Sequence, residues 1–344
     1  MSRFESECHC KIVFMKIAIV KLSSLGDIIH SMIVLQFIKQ YNQNIDIDWI
    51  VEENYKELLE FHPDISNIHI VRLKEAKKKK SLLLFLHELR RVRNFGPYDL
   101  VIDMQGLIKS ALISRLIPAP ITLGFDKYSI RESFASIFYN NTFNYEYGEN
   151  IVERNIALIE FALGFSINKK QIQNKLPFLY PRKKQLDISL SNSKKNILLI
   201  PGASHQSKCY PTLKLAELTN LIDANFLIIW GNQKEKVMAD EIKELSPAVT
   251  ISNRLSIDSL TQLISKVDLV IGPDTGPTHI SWAMNVPSIT LFGPTPGYRN
   301  TFETKINQII DSKSKVNPNK IDKNDYSIKQ IEVQEILKMS QELL

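Results

Sequence analysis

The chain holds 344 residues, 44% of them apolar and 23% charged, with a formal net charge of +6. That is enough chain for two globular domains with separate cores, and the composition excludes a disordered or fibrous protein. Even a long apolar run such as 82–86 is far shorter than the roughly 20 residues of a membrane helix, and Glu5 and Glu7 fall where a secretory signal needs an apolar stretch.

Three cysteines, Cys8, Cys10 and Cys209, are too few for a disulfide framework and suit a reducing cytoplasm. Cys8-His9-Cys10 has no partner pair at metal-ligand spacing. The positive charge points to an anionic partner. Much of it lies in 72–93, where nine basic residues (Arg72, Lys74, Lys77, Lys78, Lys79, Lys80, Arg90, Arg91 and Arg93) face Glu75 and Glu88. Such a run is ordinarily a solvated face; the functional alternatives are an anionic membrane surface or nucleic acid. Only Phe85 and Phe95 are at hand for base stacking, which weakens the nucleic-acid reading.

Taken in order, 15–21 (MKIAIVK) reads as a buried strand, and the 14 residues before it as an extension. The turn 22–27 (LSSLGD) opens a helix carrying Ile28, Ile29, Met32, Leu35 and Ile38. A strand at 45–51, a helix at 55–61, a strand at 68–71 and a helix at 82–93 follow. The strand 98–103 (YDLVID) exits through Met104, Gln105 and Gly106 into a helix at 107–116, and a further helix spans 149–163 with Gly164 as its C-cap. Residues 166–195 lose periodicity and read as the linker between a unit at 1–165 and a second at 196–325. The alternation restarts with strands at 196–200 and 224–230 and a helix at 232–245. A short helix at 256–265 follows, then strands at 268–271 and 288–291. A last amphipathic helix fills 328–344. Strands alternating with helices signal open parallel sheets covered on both faces, here two of them.

The stretch IGPDTGPTHI (271–280) and its echo LFGPTPG (291–297) each leave a strand through a Gly- and Pro-rich turn. Taken alone, either is a tight αβ turn with Asp274 or Thr275 as N-cap. Unpaired N–H groups and the helix dipole also suit such a turn to phosphate. Six turns (22–27, 103–106, 201–211, 231–235, 272–279 and 293–297) follow strands, so all are expected to face one cleft between the units. Asp27 is an N-cap candidate that can also act as a general base on an acceptor hydroxyl. Lys208 offers a point charge to phosphate. Asp103 and Gln105 offer polar groups to a sugar, and Lys109 and Arg131 offer charge to an anionic acceptor. GxxxxGK[ST], a GxGxxG after the first strand, and GxSxG are all absent, which argues against a P-loop nucleotidase, an NAD oxidoreductase and a serine hydrolase. What remains fits transfer of a group from a nucleotide-activated donor to a hydroxyl.

The segments VKLSSLGDIIHS (20–31), IDMQGLIKSAL (102–112), IRESFASIFYN (130–140), SKCYP (207–211) and GPDTGPTHISWAMNVPSITLFGPT (272–295) resemble the ADP-heptose:lipopolysaccharide heptosyltransferases. The likeness is strongest to the first-heptose type and runs from about Lys16 to Thr295. It implies a GT-B fold, two Rossmann-like domains across a cleft, with the C-terminal helix 326–344 returning onto the first domain. It also implies metal-independent, inverting transfer of L-glycero-D-manno-heptose from ADP-heptose to a Kdo residue of Kdo-lipid A in lipopolysaccharide inner-core synthesis. Asp27 matches the general base. Lys208, Glu235 (on the ribose), Asp274, Thr275, Gly276 and His279 match donor-binding positions; Ser24, Gly26, Asp103, Gln105, Lys109 and Arg131 fall on the acceptor side. A monomer peripheral to the cytoplasmic face of the inner membrane, touching it through 72–93 and binding no nucleic acid, is expected. The register of PGASHQS before Lys208 and the lysine richness of 74–80 depart from the family pattern. A later-acting heptosyltransferase, a GT-B-shaped epimerase and a non-catalytic sugar-binding module are the alternatives.

Overall fold

A computed structural model describes residues 15–182, 186, 188–318 and 320–344; the Cys8-His9-Cys10 triplet and the expected extension lie outside them. The first sheet is built from β1 (Met15–Val20), β2 (Ile45–Glu52), β3 (Asn67–Val71), β4 (Leu100–Asp103), β5 (Ile121–Phe125) and β6 (Asn141–Phe143). All pairings are parallel and the order is β3-β2-β1-β4-β5-β6. Its helices are α1 (Leu25–Tyr41), α2 (Leu73–Lys78), α3 (Leu82–Val92), α4 (Ile108–Leu116) and α5 (Ile151–Leu163), and α6 (Lys169–Gln173) lies on the way to the second unit.

The second sheet repeats the plan with β7 (Asn196–Leu199), β8 (Asn225–Ile228), β9 (Thr250–Ile251), β10 (Leu269–Pro273), β11 (Ser288–Phe292) and β12 (Asn307–Asp311). Its order, β12-β11-β10-β7-β8-β9, is the same arrangement read from the other edge. Around it lie α7 (Thr212–Leu221), α8 (Gln233–Leu245), α9 (Ile257–Ile264), α10 (Gly276–Ala283), α11 (Gly297–Asn300) and α12 (Val333–Leu343). In each sheet the strand order reverses beside the first strand, between β1 and β4 and between β7 and β10. A crevice opens there at the carboxyl ends of the strands.

α1 explains how the halves meet. Ile28, Ile29, Met32, Ile33, Val34, Leu35, Phe37 and Ile38 are all buried, so the helix is apolar around its circumference. A helix of that kind belongs in an interior. It packs on α5 within its own half and on α10 of the other, and one apolar cluster runs from Ile28 and Met32 to Ile280 and Trp282. Each fully buried aliphatic side chain in that seam stabilises by about 1.5–3 kcal/mol. Two expectations are corrected. The helix expected at 55–61 is replaced by a 3-10 helix at Glu53–Leu58. The last helix does not return to the first domain: α12 packs on α7 and β11, with Val333 and Ile336 in the second core and Tyr210 donating to the Ile331 carbonyl at 2.8 Å. An amphipathic stripe at 328–344 shows that one face is buried but not against which partner.

Candidate active site

Two cavities open in the cleft. The larger, about 400 Å³, lies between the N-terminus of α1 and that of α10, and it is lined by Ser24, Gly26, Asp27, His30, Lys208, Asp274, Thr275, Gly276, His279, Thr295, Arg299 and Asn300 among others. The smaller, about 210 Å³, is lined by Lys21, Asp27, Gln105, Arg131, Arg154 and Arg299 with apolar neighbours. Asp27 and Arg299 belong to both walls.

Asp27 is the N3 residue of α1, three beyond its N-cap Ser24. The Ser24 N–H and hydroxyl both donate to Oδ2, at 3.0 and 2.8 Å. This capping box fixes the carboxylate and engages one oxygen. Ser24 and Gly26, expected toward the acceptor, line the larger cavity. Gly26 is there for space: a Cβ on it would stand 2.7 Å from His279 Cδ2, and one on Gly276 would stand 2.6 Å from Leu25 Cδ2. Each glycine therefore gives room to a side chain of the opposite helix, His279 over Gly26 and Leu25 over Gly276, so the two N-termini approach closely and both positive dipole ends point toward one chamber.

Across that chamber Asp274 is a hub. Its carboxylate receives the Lys208 ammonium at 2.7 Å, His279 Nε2 at 3.0 Å, the Thr295 hydroxyl at 2.8 Å and the Asn300 amide at 3.2 Å. Burial pushes the carboxyl up, but Lys208 and His279 outweigh it and hold it well below the usual carboxylate range. The Asp274 side chain thus organises its neighbours and leaves the chamber-facing positions to Thr275, the helix N–H groups and the Lys208 and His279 edges. His279 stacks edge-on against His30 at 4.3 Å, and His30 Nε2 is buried with no hydrogen-bond partner among the described residues. Burial, then His279, holds the His30 pKa well below its ordinary value, so its imidazole is neutral.

Other residues are placed differently. Asp103 is fully buried and reaches neither cavity; it accepts from the Gln105 and Gly106 N–H groups at 2.7 and 3.2 Å and from the Tyr139 hydroxyl at 2.8 Å. It shapes the turn after β4, which corrects the expectation of a sugar contact. Gln105 does line the smaller cavity, while its carbonyl holds the Leu22 and Ser23 N–H groups at 3.1 Å each. Lys109 lies in a separate groove with Glu52, Lys74 and Lys77. Glu235 caps α8, accepting from the Gly231 N–H at 2.6 Å and the Asn232 amide at 2.7 Å, and lines neither cleft cavity.

Sequence reasoning missed His30, Lys21, Arg154, Arg299 and Asn300. His30 carried a signal, since it lies three residues after Asp27 on one helix face. Lys21 and Arg154 are each 3% exposed and bonded to carbonyls, Lys21 to Met104 at 2.8 Å and Arg154 to Ser129 at 2.7 Å, which only the fold brings near. In the basic stretch, Arg72, Lys79 and Arg91 pair with Glu53, Glu75 and Glu88. Lys78, Lys80, Arg90 and Arg93 have no ion pair among the described residues, beside Leu82 and Leu83, which are 69% and 81% exposed. No described helix is long and apolar enough to cross a membrane, and no cluster of three or more His, Cys, Asp or Glu among the described residues is placed to hold a metal ion.

Two facing Rossmann-like domains with a polar cleft at both strand-reversal points are the architecture of a GT-B glycosyltransferase. The same fold is seen in an E. coli heptosyltransferase solved with ADP, at a TM-score of 0.77 and 24% identity over 96% of this chain and 100% of the other. The chain belongs to glycosyltransferase family 9 (heptosyltransferase), whose pattern matches residues 85–325. It is 42% identical to lipopolysaccharide heptosyltransferase 1 of Campylobacter coli over 96% of this chain and 99% of that protein. It is 30% identical to the enzyme of the same name from Salmonella typhimurium, over 82% of this chain and 90% of the relative.

Proposed function

We propose that this enzyme transfers L-glycero-D-manno-heptose from ADP-heptose to a Kdo hydroxyl of Kdo-lipid A, with inversion, in lipopolysaccharide core synthesis. The observation that carries the reading is the position of Asp27, a carboxylate on the border of both cavities with one oxygen outside its capping box. The larger cavity takes the donor, and the names of the relatives supply the sugar and the nucleotide. The diphosphate lies over the N-terminus of α10, near Thr275, Gly276 and Lys208; the acceptor occupies the smaller cavity beside Gln105 and Arg131.

In the reaction Asp27 takes the acceptor hydroxyl proton as the oxygen attacks the anomeric carbon. The new C–O bond forms as the bond to the diphosphate breaks, and ADP leaves with the electron pair. Charge growing on the diphosphate is met by N–H groups already oriented by the helix, which is where preorganised donors act most strongly. No step in this scheme calls on a metal. The test is ADP release from ADP-heptose with Kdo-lipid A, with a heptosylated acceptor, and with none. Release only with Kdo-lipid A supports the assignment; release only with the heptosylated acceptor assigns a later-acting transferase; release without any acceptor marks donor hydrolysis, and conversion of ADP-heptose without net ADP release points to epimerisation.

The unpaired lysines and exposed leucines at 77–86 support docking on an anionic inner-membrane surface, with the enzyme acting there as a monomer. Replacing Lys77, Lys78 and Lys80 with Gln is expected to weaken binding to phosphatidylglycerol vesicles by about 3 kcal/mol at low salt, on the order of 1 kcal/mol per charge. Unchanged, salt-independent sedimentation with the vesicles removes this surface from the reading.

A further inference from the structure

The smaller cavity carries a charge imbalance. Lys21, Arg131, Arg154 and Arg299 line it, and Asp27 is the one carboxylate in its wall. Lys21 and Arg154 are deeply buried, and their hydrogen bonds run to neutral carbonyls: Lys21 to Met104, and Arg154 to Ser129, Tyr145 and Glu146. Carbonyls satisfy donors but leave the formal charge uncompensated, an arrangement that is costly without an anion nearby. The cations also act on one another. The Lys21 ammonium is held below its ordinary value by burial despite Asp27 and Asp103, and Arg154 is brought down to about 10 by burial and then by Arg299.

Arg299 differs from the other three because it comes from the second domain. Its Nε donates to the Tyr147 carbonyl of the first domain at 3.0 Å, and its guanidinium lies 4.4 Å over the Tyr147 ring. Nη1 donates to Asn300 at 3.0 Å, and Nη2 has no partner among the described residues. Asn150, the N-cap of α5, clasps the same short helix by donating to the Tyr298 and Thr301 carbonyls at 2.7 Å each. Asn300 in turn donates to Asp274 at 3.2 Å. A bonded chain therefore runs from the Asp274 hub through Asn300 and Arg299 to the acceptor-side loop at Tyr147.

We propose that Arg299 is an acceptor-specificity residue carried by the donor domain, its free guanidinium edge binding the carboxylate of the acceptor's sugar acid beside Asp27. The inference rests on the Kdo acceptor reading above. It follows that the acceptor cavity is complete only when the two domains are closed on the 145–150 loop, and that the Asp274 loop and the acceptor share one positioning element.

A cycle over two enzymes and two acceptors tests this: wild type and Arg299→Gln, each with the Kdo acceptor as the free acid and as its methyl ester. In wild type, esterification is expected to lower kcat/KM about tenfold or more, chiefly through KM, as for loss of a charge-assisted bond. Arg299→Gln should show a similar loss on the free acid and a further change of less than about twofold on the ester, because the two changes remove one interaction. Arg299→Lys, which keeps the charge but not the fork, should recover part of the loss. Arg299 also stands in the wall of the donor cavity, so ADP affinity by calorimetry is expected to fall in Arg299→Gln by clearly less than the acceptor kcat/KM, with an unchanged melting temperature as the check on the fold. Equal fold-losses on esterification in both enzymes overturn the proposal, as does ADP affinity falling in step with acceptor use. A wild type that ignores the Kdo acceptor in both forms overturns the acceptor reading as well, whereas normal wild-type transfer with an unaffected Arg299→Gln overturns Arg299 alone.

Discussion

Asp27 and Asp274 stand on opposite walls of one chamber, each beside a helix N-terminus, yet their surroundings make them different chemical objects. Asp27 is half-buried and bonded only through Oδ2, to the residue that caps its own helix. Asp274 is buried and surrounded by Lys208, His279, Thr295 and Asn300. A proton acceptor needs an accessible oxygen and a charge that can be given up; a hub needs every oxygen held and a charge that stays. Under the proposed scheme this difference fits proton transfer in the first domain and charge organisation in the second, although the residue types are the same.

The largest expected effect is on Asp27. Replacing it with Ala should lower kcat by about 10²–10⁴-fold, the usual worth of a positioned general base, with ADP affinity nearly unchanged. Single-turnover rates close to wild type would remove Asp27 from the chemistry and collapse the contrast. Asp274→Asn should instead act on stability and donor binding together. Breaking one side of a buried ion pair costs about 3–5 kcal/mol, because Lys208 is left without its counter-charge. Denaturant unfolding and ADP calorimetry should move together here, whereas Asp27→Ala moves neither far.

The same contrast has a pH form. The folded Asp274 carboxyl lies well below its unfolded value, so the unfolded state binds a proton first as acid is added. Its contribution is therefore complete above about pH 4, the unfolded carboxylate value, and is lost as pH falls from there through the folded value. Stability measured from pH 6 down to pH 3 should fall less steeply for Asp274→Asn than for wild type. Parallel curves would mean that the hub does not hold its charge as the geometry requires.

A smaller effect is expected at the contact between the two walls. Gly26→Ala places a methyl group 2.7 Å from the His279 ring, which is already enclosed by Asp274 and His30. Forcing the domains apart by a fraction of an ångström should lower kcat/KM by about tenfold to a hundredfold. Gly148→Ala, whose new Cβ meets nothing closer than 3.8 Å, is the control and should leave the rate alone. Equal rates for the two variants would show that the cleft tolerates opening.

Much of this was legible before the fold was known. The strand–turn–helix units around Asp27, Gln105, Lys208 and Thr275 were readable because apolar runs, helix caps and Gly/Pro turns act over a few residues. The short strands β5, β6 and β12 were not, since three to five residues with polar flanks carry too little periodicity. Asp103 illustrates a deeper limit. Its position at the end of a strand resembles that of a site residue, and only the arrival of Tyr139 from β6's approach shows the carboxylate to be internal.

The sequence by itself determined two βα-alternating units, the turns at their strand ends, and Asp27 at the start of α1, all consequences of local backbone chemistry. Tertiary structure alone decided that Lys208 and His279 meet on Asp274, that Gly26 and Gly276 bring two helix ends together, that α12 stays with its own domain, and that Arg299 crosses to Tyr147. Each of those depends on which faces pack against which, and burial favours apolar contact without naming the partner.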